Sequence, residues 1–142
     1  MIYLTKKLSN QIVWFNRLAL FVVFFWFGIL KIFDASPAKD LVSHLHSVTI
    51  SNLISAQPFF IFLGTLECII GLIWLFPQLT KMAFLLFLCQ MFTTFLPLIF
   101  LTSETWQENY GLTLAGQYII KNVVLVASAY TVYSIENNQK KQ

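Results

Sequence analysis

Four stretches of this chain, roughly residues 12–33, 59–76, 82–101 and 112–135, are each about as long as a bilayer is thick and nearly free of charge. A helix of ~20 mostly apolar residues crosses the ~30 Å hydrocarbon layer. In that solvent the backbone must satisfy its own hydrogen bonds, so runs this long are expected as helices and not as open strands. The expected fold is all-α, an integral membrane four-helix bundle forming a single domain over the 142 residues. Composition agrees: 58% of residues are apolar and only 11% are charged, more apolar surface than a soluble domain of this size hides from water. The net charge of +3 comes from Lys and Arg scattered along the chain, which gives no basic patch for nucleic acid. Lys6 and Lys7 ahead of the first stretch resemble the start of a signal peptide, but the apolar run is too long and Lys31 interrupts the approach to any cleavage site.

Orientation follows from where Lys and Arg flank the spans. Lys6, Lys7, Arg17, Lys81, Lys140 and Lys141 fall on one side, while Lys31 and Lys39 fall on the other with Asp34, Asp40, Glu104 and Glu108. Both termini are therefore expected in the cytoplasm. Trp14, Trp74, Tyr130 and Tyr133 fall near the inner boundary, and Trp106 and Tyr110 near the outer one, as aromatic belts. The external loop, residues 34–58, carries a helix-start signal, Ser36 as N-cap and Pro37 at the first helical position. Leu41, Val42, Leu45 and Val48 then follow a helical period, predicting a short amphipathic external helix between spans one and two, lying on the membrane or over the bundle mouth. His44 and His46, two apart on that helix, point ~200° from one another, which predicts a solvated face and no metal site. Cys68 and Cys89 stand singly without a CxxC and read as small core residues.

Charges inside the spans carry the functional argument. Glu67 lies mid-span, where insertion of a charge costs at least ~2.5 to 3.5 kcal/mol. Counted inward from the outer span ends, Glu67 and Lys121 reach the same depth, ~12 to 14 Å, which predicts that they pair. Lys31 lies nearer the outer end, where its stem either snorkels outward or reaches inward. Polar and small residues share one face of each span: Gly28 and Lys31; Gly64, Glu67, Cys68 and Gly71; Gln90, Thr93, Thr94 and Pro97; Gln117, Lys121 and Ser128. The glycines would let backbones approach closely, and Pro97 would leave the Thr93 carbonyl without its helical donor. Together these residues predict a polar interior in which Glu67 and Lys121 are the proton-handling, catalytic candidates and Lys31, Gln90, Thr94 and Gln117 the candidate ligand-binding set. The alternative is an ion pair that only fixes helix register.

At these residues the chain resembles a known family. Arg17 with Phe27-Gly28-Ile29-Leu30-Lys31, then Leu66-Glu67-Cys68-Ile69-Ile70-Gly71, then Gly116-Gln117-Tyr118-Ile119-Ile120-Lys121-Asn122 is similar to the DoxX-like superfamily of four-span bacterial membrane proteins. The stretch Met91-Phe92-Thr93-Thr94-Phe95-Leu96-Pro97, ending near Glu104 and Trp106, resembles the third span of its YkgB or RclC type, inner-membrane proteins linked to resistance against reactive chlorine species. The chain departs from that type in a shorter first external connection and in Gln117, where a basic residue is expected. The resemblance implies a bacterial inner-membrane protein associated with redox chemistry or oxidant stress, either as a subunit of a membrane oxidoreductase with quinone as a possible cofactor, or as a partner of another membrane or redox protein. No haem-type His pair, CxxC or nucleotide loop stands inside the spans, so electrons would need a bound quinone or a partner. A non-catalytic scaffold and a small solute- or proton-conducting module are the competing readings.

Overall fold

Apolar runs with no water to hydrogen-bond their backbone form helices, and a computed structural model, which describes residues 2–139 and side chains from residue 8, is 84% helical with no strand among those residues. In chain order the helices are α1 (Ile2–Ile32), α2 (Lys39–Thr49), α3 (Ala56–Trp74), α4 (Thr80–Phe95), α5 (Pro97–Phe100), α6 (Thr102–Thr105) and α7 (Leu114–Gln139). Four segments, Leu8–Ile32, Ala56–Trp74, Pro77–Phe100 and Leu114–Gln139, are long and apolar enough to cross a membrane. That supports a multi-pass membrane protein. The boundaries shift from those expected: the first helix starts earlier, the second ends at Trp74, and the fourth runs past residue 135. The orientation argument from Lys6, Lys7, Lys140 and Lys141 rests on side chains outside the described residues.

The four long helices form a ring in chain order: α1 packs on α3 and α7, and α4 packs on the same two. Thus α1 faces α4 across the bundle, and α3 faces α7. The tightest seam is α1 on α3, and glycine makes it possible. A Cβ built on Gly28 would sit 2.6 Å from the Gly64 carbonyl oxygen, and one on Gly64 would sit 2.6 Å from that of Gly28. One on Gly71 would lie 3.0 Å from the Phe25 nitrogen. Close backbone approach through small residues is how helices pack when lipid supplies no hydrophobic drive.

Leu20, Phe24, Ile70, Trp74, Ala83, Phe87, Met91, Ala129 and Val132 are buried in the middle of the bundle. Phe87 anchors this layer, with its ring 5.4 Å from Phe24 and edge-on to Trp74 at 6.0 Å. Phe15, Trp26, Phe62, Leu85, Phe92 and Val124 face outward, a surface suited to lipid. Trp74, expected in an aromatic belt, is fully buried instead.

The connections differ in detail from the expectations. The helix α2 starts at Lys39 with Ala38 as its cap, two residues later than Ser36 and Pro37 predict. The Ser36 hydroxyl instead accepts from the Ala38 N–H at 3.3 Å, holding a turn. Helix α2 packs on α5, at the loop end of the bundle. His44 is exposed and bonds Glu104 at 2.8 Å, but His46 is buried, with Nε2 2.8 Å from the Ile54 carbonyl and its ring 5.1 Å from Phe59. The solvated-face reading therefore holds for His44 and fails for His46, which the loop before α3 covers. Cys89 also departs from expectation and is exposed, while Cys68 is half-buried with Sγ 3.7 Å from the Phe25 carbonyl.

Candidate functional site

Burying a carboxylate requires donors from neighbouring elements, and Glu67 on α3 has them from two helices. Lys31 Nζ, from α1, donates to its Oε2 at 2.6 Å, and Gln90 Nε2, from α4, donates to its Oε1 at 3.0 Å. All three side chains belong to residues at most 8% exposed. Local sequence explains how Lys31 gets there. Gly64 stands one turn from Glu67 and lacks a side chain, and a Cβ added to it would lie 3.0 Å from that of Lys31. The lysine stem thus passes over Gly64 and turns its ammonium inward, choosing between the two directions left open by the sequence.

Lys121 does not join this site. It is exposed, with Nζ 4.9 Å from the centre of the Tyr118 ring, and among the described residues it makes no ion pair. The expected Glu67–Lys121 pair is corrected to Lys31–Glu67. Depth fixes only height along the bundle, whereas contact also needs the right direction around the helix. Ile119 is buried, and a residue two positions later points ~200° away from it, so Lys121 faces out. Gln117 is likewise exposed, its amide folded back on the Leu112 carbonyl at 3.3 Å.

Thr94 is half-buried and donates to the Gln90 carbonyl at 2.9 Å, as Thr93 does at 2.8 Å. These bonds brace the turn that carries Gln90 and reach no open site. The Thr93 carbonyl that Pro97 was expected to free accepts instead from the Leu96 N–H at 3.2 Å, a tightened turn that satisfies it without a cavity.

At the other end of the bundle stands a second cluster that sequence reasoning missed. Arg17 of α1 is fully buried. Its Nη1 donates to the Trp74 carbonyl of α3 at 2.5 Å, its Nη2 to the Thr80 hydroxyl of α4 at 2.5 Å, and its Nη2 also pairs with Glu136 of α7. The Thr80 hydroxyl in turn lies 2.5 Å from the second Glu136 oxygen and 2.8 Å from the Pro77 carbonyl. Having one proton, it gives it to the charged acceptor. Arg17 Nε and Trp74 Nε1 have no partner. The sequence marks Arg17 as an orientation charge and as part of the family resemblance but gives it no partner, and Glu136 falls one residue beyond the expected fourth span. A signal was available, since Arg17 lies inside the first span and needs an anion at its own height.

Lys31 lies fourteen positions after Arg17 on α1, ~21 Å along the axis, and the Phe24, Ile70, Trp74 and Phe87 layer fills the space between. A groove of about 410 Å³ lined by Asn10, Gln11, Trp14, Phe15, Leu18 and Leu75 lies on the outer side of α1 and does not reach either cluster. Chemically, both carboxylates are held by fixed donors, an arrangement that joins helices. Compared with known proteins, the chain matches no family model, no curated protein and no solved structure.

Proposed function

We propose that this chain is a DoxX-like bacterial inner-membrane protein, both termini in the cytoplasm, that serves an oxidant-stress or redox system as a non-catalytic assembly subunit. The observation that carries the assembly role is the complete engagement of Glu67: Lys31 holds one oxygen and Gln90 the other, and each donor comes from a different helix. A carboxylate so held fixes helix register. A proton-conducting module is disfavoured by the aromatic layer that divides the two polar clusters. The redox association rests on the family resemblance of the quoted motifs.

The test is survival of a deletion strain under hypochlorite, restored with variants at equal membrane levels. The native chain and the paired variant Lys31→Met with Glu67→Gln should both restore survival, because removing a buried pair together leaves no isolated charge. Glu67→Gln alone should lower the membrane level. A paired variant that accumulates normally and fails to restore survival would give the buried pair a chemical role, with a bound quinone the first ligand to seek. Failure of the native chain to restore survival would remove the oxidant-stress association.

A further inference from the structure

Among the four spans, α7 is the least apolar, with mean hydropathy 1.3 against 1.8 to 2.1 for the others, and it is also the least covered, with 17% of the residues in its most apolar stretch buried against 28% in each of the rest. A helix in lipid should show the opposite relation, since the less apolar a helix is, the more it gains from protein neighbours. Lys121 stands on the uncovered face, seven residues in from Leu114, ~10 Å along the axis. Exposed Gln117 and Val124, four before and three after it, share its side of the helix.

We propose that this face docks a transmembrane helix of a different protein, one that presents an Asp or Glu carboxylate at the height of Lys121. Charge complementarity selects the occupant, because an ammonium facing lipid at that depth, with only the Tyr118 ring 4.9 Å away beside it, gains most from an anion. A second copy of this chain does not supply one. Its in-span carboxylates, Glu67 and Glu136, are held by Lys31 and Arg17, and a two-fold α7 contact would bring Lys121 towards its own mate.

The inference rests on the assembly reading and deepens it. The test places a photo-crosslinking residue at Val124 in the full chain in its native membrane, with Leu85, exposed on α4, as the control site. The expected result is a crosslink from position 124, and not 85, to one membrane protein with an in-span acid. The yield should fall at least tenfold with Lys121→Glu, fall with Lys121→Met, hold with Lys121→Arg, and return for Lys121→Glu when the partner's acid is changed to Lys. A crosslink to a second copy of this chain, to lipid alone, or one indifferent to Lys121→Glu overturns the proposal. A charge-independent crosslink to a partner from position 85 would leave the assembly reading standing and remove α7 as its interface; no protein crosslink from either site would count against both.

Discussion

The two buried ion pairs of this bundle solve one problem with different chemistry. At the loop end, Lys31 brings a compact ammonium to Glu67, and with Gln90 the cluster joins α1, α3 and α4. At the end carrying the termini, Arg17 spreads a planar fork over acceptors on α3, α4 and α7, so one side chain ties all four long helices. A guanidinium presents several fixed donors where an ammonium acts as a point charge. The loop end does without α7 in its cluster because backbone contacts hold that helix there. Thr113 caps α7 by accepting from the Gly116 N–H at 3.1 Å while donating to the Glu104 carbonyl at 2.6 Å. Gly116 itself packs so tightly that an added Cβ would lie 2.1 Å from the Thr105 carbonyl oxygen.

This contrast can be broken most directly at Arg17. Arg17→Ala leaves Glu136 without its counter-ion and takes a donor from the Trp74 carbonyl and the Thr80 hydroxyl, and is expected to cost ~3 to 5 kcal/mol, read as lost thermal stability in detergent micelles. Lys31→Ala should cost less, since it releases one acceptor; the reverse order would overturn the contrast. Next comes the glycine seam, where Gly64→Ala should cost about 1 to 3 kcal/mol by overpacking. Because the Lys31 stem crosses Gly64, its effect should be non-additive with Glu67→Gln in a double-mutant cycle. Simple additivity would detach the seam from the ion pair. Arg17→Lys keeps the charge and loses the fork, so unfolding in increasing denaturing detergent should show a loss of about 1.5 to 3 kcal/mol, the worth of a hydrogen bond to a charged group. The smallest effect belongs to Lys39→Ala. Its bridge to Asp34 is formed by side chains 47% and 64% exposed, and the change should shift stability by at most about 1 kcal/mol.

Much of the fold was legible because the signals are local. Glu67, Lys31 and Gln90 were all marked as candidates, and each reached the loop-end cluster. Their pairing was not legible. Equal depth suggested Lys121 as the partner of Glu67, yet the depth argument ignores direction around the helix, and a two-residue step from buried Ile119 turned Lys121 outward. The pairing of Arg17 with Glu136 escaped notice for a related reason: Glu136 lies just past an estimated span boundary, and only the packed bundle shows that its helix carries it back to Arg17. His46 was misread because the segment that covers it, through Ile54 and Phe59, comes later in the chain.

What the sequence by itself determined is the number, type and approximate length of the membrane-crossing elements. Transfer from water to hydrocarbon sums over neighbouring residues, and a backbone in hydrocarbon has to close its hydrogen bonds within the helix. It also determined that the buried charges would need partners and that the glycines would lie at contacts. Only the tertiary structure decided which charge meets which. That choice depends on the rotation of each helix about its axis and on the ring order of the bundle, both set by packing between residues far apart in the chain, such as Gly28 on Gly64 and Arg17 against Glu136.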